Sequence, residues 1–316
     1  MWSLATLVGL LTPPFSFTVP REPPCVRPRL IMSVPTRLID THLHLIYRER
    51  LTYAWLGSEP MLSAHDWTYE RYAAEAHPLG VTDCLHMEVD VAEDDIDRET
   101  EFIRGLAGNP ARNIRAAIVN ARPENADFAA QVDRARADSF IRGFRRILHV
   151  MPDDLSRAPT FRENVKRLAN TGLTFDICVR ADQLGIAAEL VDACPGVAFV
   201  LDHCGGGSAS RPDLFAAWKM ALFEFARRPG VVAKISGVIG TVGEGWTLDD
   251  LRPVVETTIE AFGWDRVVWG SDWPWSAQRA SLRDWIETTH RLVEGASEIE
   301  REKLFHRNAT RIYGIG

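Results

Sequence analysis

The sequence has no surplus of positive charge: 36 Lys and Arg face 43 Asp and Glu, a formal net charge of −7. Nucleic-acid binders usually carry a basic face, so that class of partner is not expected. Cysteine is sparse and odd in number, five in 316 residues, and no CxxC pair occurs. This excludes a disulfide framework and a structural zinc knuckle. Cys84, Cys178 and Cys204 lie in or just after apolar runs and read as small buried hydrophobes, so a reducing, cytoplasmic setting is expected. No apolar stretch reaches the roughly 18 residues of a membrane span, and no membrane partner is expected. No GxGxxG follows the first strand, and Gly205-Gly206-Gly207 lacks the Lys-Ser/Thr of a phosphate-binding loop. Dinucleotide and nucleotide chemistry therefore have no signature here. That glycine run reads instead as a tight turn letting backbone approach a ligand.

The first residues also lack something. The apolar run Trp2 to Leu11 has no Lys or Arg before it, no small-x-small site after it, and Pro13-Pro14 breaking it. A secretory signal normally has the first two features. Pro20 to Pro28 reads as extended linker. Residues 1–36 are expected to be a leader, disordered or a misassigned start, with cleavage as a signal the alternative. A single domain is expected over 37–316.

What is present is globular in proportion, 46% hydrophobic and 25% charged, and strongly periodic. Eight short β-branched or apolar runs recur: Arg37–His42, Val81–Glu88, Ile114–Asn120, Ile141–Ile147, Leu173–Val179, Val197–His203, Val231–Ser236 and Arg266–Asp272. Amphipathic stretches lie between them, such as Ala92–Gly108, Pro212–Arg227 and Leu248–Phe262. Asp66 and Thr247 are placed as helix N-caps. Eight βα units in about 280 residues predict an α/β fold, a (β/α)8 barrel rather than an open doubly wound sheet.

In such a barrel, polar residues at the C-terminal strand ends face the active site. Strand one ends in Asp40-Thr-His42-Leu-His44, and alternation sets His42 and His44 on one side. Strand six ends in His203 and strand eight in Asp272. Strand four offers Arg145 on one face and Arg146 on the other; strand seven offers Lys234 and Ser236. Four of these have a plainer role open to them: His203 in the core, Asp272 as a cap, Arg145 as an ion-pair partner, and Lys234 paired to a carboxylate inside the barrel. Trp55, Trp273 and Trp275 are placed as pocket aromatics. His65, His77, His86, His290 and His306 are read mostly as surface residues.

The segments "LIDTHLHL", "LTYAWL", "GFRRI", "LTFDICVRADQL", "FVLDHCGG", "VVAKISGV" and "RVVWGSDWPW", in this order, resemble the amidohydrolase-related TIM-barrel hydrolases, in their lactonase branch. The resemblance covers about residues 37–314. It implies a distorted barrel, a small-molecule substrate, and His42, His44, His203 and Asp272 in the site. Arg145 matches a carboxylate- or carbonyl-binding arginine. Strand four lacks a bridging Lys or Glu, and strand five lacks a His, so two metals are not expected. The four site residues suit one divalent ion, zinc by its donor preference, or serve as hydrogen-bond donors and base with none. The expected reaction is lactone hydrolysis, with Asp272 as proton shuttle and Arg145 and Arg180 clamping a substrate carboxylate. A metal-dependent decarboxylase and an inactive barrel that only binds remain the alternatives. A chain starting at Met32 is expected to express, melt and turn over like the full chain; loss of soluble protein on truncation contradicts the leader reading.

Overall fold

Each of the eight runs forms a strand: β1 Leu38–Leu43, β2 Val81–Met87, β3 Ile114–Asn120, β4 Ile141–Ile147, β5 Thr174–Cys178, β6 Ala198–Leu201, β7 Val231–Ile235 and β8 Val267–Trp269. All neighbouring pairs are parallel and follow chain order. This is a (β/α)8 barrel, seen in a computed structural model that describes residues 37–315. The leader expected over 1–36 lies outside the described residues. Among the described residues, no helix is long and apolar enough to cross a membrane.

Between the strands the amphipathic stretches form helices, including Ile96–Ala107, Pro212–Ala226 and Leu248–Phe262. Thr247 begins the last of these, its N–H and hydroxyl both donating to Asp250 at 2.7 and 2.8 Å. Asp66 caps nothing. It accepts from the backbone and side chain of Arg48, and Thr68 caps the helix Tyr69–Ala76 by accepting from Arg71 N–H. Two candidate caps two residues apart cannot be ranked without knowing where the first turn starts.

The strands alternate as a barrel requires. Phe144, Phe175, Phe199 and Trp269 point outward into the layer shared with the helices. Ile39, Leu85, Met87, Ala116, Ile118, Val200 and Val268 form a separate inner cluster with Tyr313 and Ile315 from the chain's end. The inner layer also carries charge. Lys234 Nζ donates to Asp176 Oδ2 at 2.6 Å and sits 2.9 Å from Asp202 Oδ1, all three fully buried.

The barrel closes just beyond β8. Asp272 N–H donates to His42 O at 2.9 Å, and His44 N–H to Trp273 O at 2.8 Å. Asp40 Oδ1 clamps the seam, accepting from Ser271 N–H at 2.8 Å and His42 N–H at 3.0 Å, while Tyr72 hydroxyl donates to Oδ2 at 2.7 Å. Gly270 permits the approach: a Cβ there would lie 2.6 Å from His42 Cβ.

Lys234→Met keeps the side chain's length but strands Asp176 and Asp202 as buried like charges. Removing one partner of a buried ion pair costs about 3–5 kcal/mol. Urea denaturation is expected to show a loss of that size; a near-neutral result would mean the two carboxylates do not depend on this ammonium.

Candidate active site

The strands predicted to end in His203 and Asp272 stop earlier, at Leu201 and Trp269. Both side chains sit on turns. His203 and Cys204 take left-handed backbone with φ of 52° and 53°, continued by Gly205 and Gly206, and Asp272 has φ of 55°. Such conformations are uncommon for residues with a Cβ and mark places the surroundings hold firmly. Each turn swings its side chain over the barrel mouth.

There the sequence candidates meet. His42 Nε2 lies 3.1 Å from His44 Nε2, and Asp272 Oδ1 lies 3.6 and 3.5 Å from these two nitrogens. The His203 ring centre is 4.5 Å from that of His42, and its Nδ1 contacts Ser236 Oγ at 2.9 Å. Gly237 makes room, since a Cβ there would fall 2.5 Å from His203 Nδ1 and 3.1 Å from Asp272 Oδ2.

Partners set the protonation pattern. His44 Nδ1 faces Met87 O at 3.0 Å. A carbonyl only accepts, so Nδ1 carries the proton and Nε2 is bare. His42 Nδ1 faces the Asp202 carboxylate at 3.5 Å, and Arg145 Nη1 approaches Nε2 at 3.4 Å; again Nε2 holds the lone pair. Burial lowers His44 to about 3, with Arg145 adding to the effect, and burial also lowers His42 and His203. All three imidazoles are neutral near pH 7. Burial pushes Asp272 up to about 6, against the pull of His203 and Arg145.

His42 Nε2, His44 Nε2 and Asp272 Oδ1 thus converge without a proton between them. One donor atom each from His42, His203 and Asp272 lies within 4.8 Å of the others. A tetrahedral zinc with bonds of about 2.0–2.1 Å holds its ligand atoms about 3.3 Å apart; the 3.1 to 3.6 Å spacings among His42 Nε2, His44 Nε2 and Asp272 Oδ1 are close to that, and His203 stands within the looser 4.8 Å of His42 and Asp272. The donors fit one divalent ion.

Arg145 enters the site as expected but is not free. Its Nε donates to Glu88 Oε1 at 2.6 Å and its Nη2 to Glu88 O at 2.8 Å. Burial works against its charge, and Glu88 outweighs that and raises its pKa. Arg146 points outward to Glu124 at 2.5 Å. Arg180 lines the cavity rim, with Nε donating to Asp182 at 3.0 Å and Nη1 to His149 O at 2.5 Å. Both arginines therefore already have partners within the chain. Trp55 lines the cavity, as does Trp275. Trp273 does not: it is fully buried and packs on Trp67 and Tyr72. The left-handed turn at Asp272 sends that carboxylate into the mouth and the next side chain into the wall.

Several residues here were not singled out from sequence. Asp202 and Asp176 lie within the family-like segments without a role read for them, and Glu88 and His149 lie outside those segments; Glu88, Asp202 and His149 sit just past a strand end, and Asp176 lies within β5. Cys178 is buried as expected, yet it faces the cavity, 3.3 Å from His149 Nδ1. Burial pushes its thiol up to about 12. His86 and His290 are buried rather than superficial, His86 paired with Glu99 at 3.1 Å.

Gly237→Ala meets both a positive φ of 65° and the His203 ring. It is expected to cost more than about 1 kcal/mol by chemical denaturation. Gly243→Ala, where a Cβ meets nothing within 4 Å, is expected to be silent in the same experiment.

The chain is similar to several known proteins. The protein y4mH of Sinorhizobium fredii is 30% identical over 298 residues, 88% of this chain and 98% of its own. L-fucono-1,5-lactonase of Burkholderia multivorans is 28% identical over 292 residues, 88% and 96% of the two chains. The crystal structure of an amidohydrolase from Burkholderia multivorans with bound zinc superposes with a TM-score of 0.80 at 26% identity, covering 88% of this chain and 99% of that one. The family model described as Amidohydrolase matches residues 39–315, and the chain belongs to the amidohydrolase family of hydrolases.

Proposed function

We propose that this hydrolase opens a lactone, the cyclic ester of a small carboxylic or sugar acid. The carrying observation is the placement of Asp272 beside two bare imidazole nitrogens at the floor of a cavity of about 540 Å³. The similarity to a lactonase supports the bond type.

The residues divide the work as follows. Asp272, raised towards neutrality by burial, accepts a proton from the attacking water. Groups whose pKa approaches the working pH serve best in this role. The water oxygen bonds to the ester carbon, and the carbonyl oxygen becomes an oxyanion. Arg145 Nη1, held toward His42, donates to that oxygen, in a buried site where such donors act strongly. The ring C–O bond then breaks, and Asp272 returns its proton to the departing oxygen. A divalent ion held by His42, His203 and Asp272 would supply Lewis-acid polarisation of the carbonyl.

A second donor group, Cys178, Asp202 and His203, also lies within 4.8 Å. Asp202 is committed to Lys234, and the Cys178 thiol is held protonated. One ion per chain at most is therefore expected by elemental analysis, and two tightly bound ions would contradict this reading.

Asp272→Asn keeps size and hydrogen bonding but accepts no proton. With lactone substrates kcat is expected to fall about 10²–10⁴-fold, with KM moving far less. Wild-type kcat in a variant that only melts earlier would return Asp272 to a structural role.

A further inference from the structure

The cavity wall has a charge pattern that its floor does not explain. Five charged side chains line it: Glu59, Asp90, Arg145, Arg180 and Asp272. Both cations are already matched, Arg145 by Glu88 at 2.6 Å and Arg180 by Asp182 at 3.0 Å. Of the carboxylates, Asp90 has Arg122 at 3.2 Å, and Asp272 faces His42 and His44. Glu59 is half-buried and, among the described residues, has no ion pair or hydrogen bond through its side chain. An ionised carboxylate is acceptor-only, so Glu59 presents unused acceptors to whatever enters.

The remaining wall is aromatic and apolar. Trp55 is fixed by Nε1 donating to Val89 O at 2.9 Å. The Trp275 ring, 40% exposed, stands edge-on to it at 6.0 Å. Gly240 leaves the space beside Trp275 open. Two indoles offer a ring-shaped ligand apolar area with little entropy to lose.

A substrate carboxylate entering here would compete with Glu88 and Asp182 for arginines that they already pair, and would sit near Glu59 and Asp90. Unpaired or like-charged contacts of this kind are how sites reject ligands. A hydroxyl meets the opposite situation. We propose that the site selects uncharged, hydroxyl-bearing lactones over lactones carrying a free carboxylate, and that Glu59 is the specificity-determining residue. The ring lies against Trp55 and Trp275, and its hydroxyls donate to Glu59 and Asp90. This rests on the lactone reading above and names the substrate class within it.

The test compares D-glucono-1,4-lactone with D-glucaro-1,4-lactone, which differ by a carboxylate in place of a terminal CH2OH. The wild-type protein is expected to favour the neutral lactone at least tenfold in kcat/KM. Glu59→Arg is expected to shrink or reverse that ratio by at least tenfold, mainly through KM, with Glu59→Gln between. Equal or better turnover of the carboxylated lactone by wild type, or a ratio unmoved in both variants, overturns the proposal. Calorimetric binding of the same two lactones to Asp272→Asn, with and without Glu59→Arg, reads selectivity apart from turnover. If the neutral preference and its reversal appear in binding while wild type opens no lactone, the hydrolysis reading fails alone. If neither lactone binds, the selectivity proposal fails.

Discussion

The bond between the barrel's first strand and the segment after its last is the constraint on which the site depends. A sheet can close only if its two edges pair, and β8 is three residues long, too short to pair with β1 along its length. The pairing is carried instead by Asp272 N–H to His42 O and His44 N–H to Trp273 O. The residues that close the barrel are therefore also the residues proposed to carry the chemistry. Asp40 holds both edges with one carboxylate oxygen. A shift of this seam by one residue would turn His42, His44 and Asp272 away from the mouth.

Beneath the mouth, charge is layered in order. Lys234 holds Asp176 and Asp202, Asp202 faces His42, and Glu88 holds Arg145 beside the same imidazole. Burial would penalise each charge alone. Paired, they are tolerated there, while burial keeps His42 and His44 neutral with their Nε2 lone pairs directed at Asp272. Glu88 and Asp202 thus act through Arg145 and His42 rather than on a substrate, and they determine which imidazole atom carries a proton.

The walls come from loops rather than strands. Glu59 and Trp55 lie in the long connection after β1, and Gly240 and Trp275 lie after β7 and β8. Floor and wall are therefore separable. The floor can keep one reaction while loop side chains choose the substrate, the arrangement that lets one barrel serve many chemistries.

The sequence by itself determined the eight-fold alternation, because inner and outer faces impose periods that apolar residues record locally. It also placed His42, His44, His203 and Asp272 together, since strand ends in a barrel share one rim. It separated Arg145 from Arg146 and Cys178 from a disulfide role. Tertiary structure decided the rest. Nothing local distinguishes Trp273, which fills the wall, from Trp275, which lines the cavity. The difference lies in the turn at Asp272, whose positive φ of 55° is imposed by the closing seam, from the other end of the chain. Likewise no local pattern gives Glu88 or Asp202 its role, because a buried carboxylate takes its role from the cation opposite. Arg145 lies 57 residues from Glu88 in sequence, and Lys234 58 from Asp176. Periodicity is a local property, whereas charge pairing in a low-dielectric interior depends on distances that only the closed barrel sets.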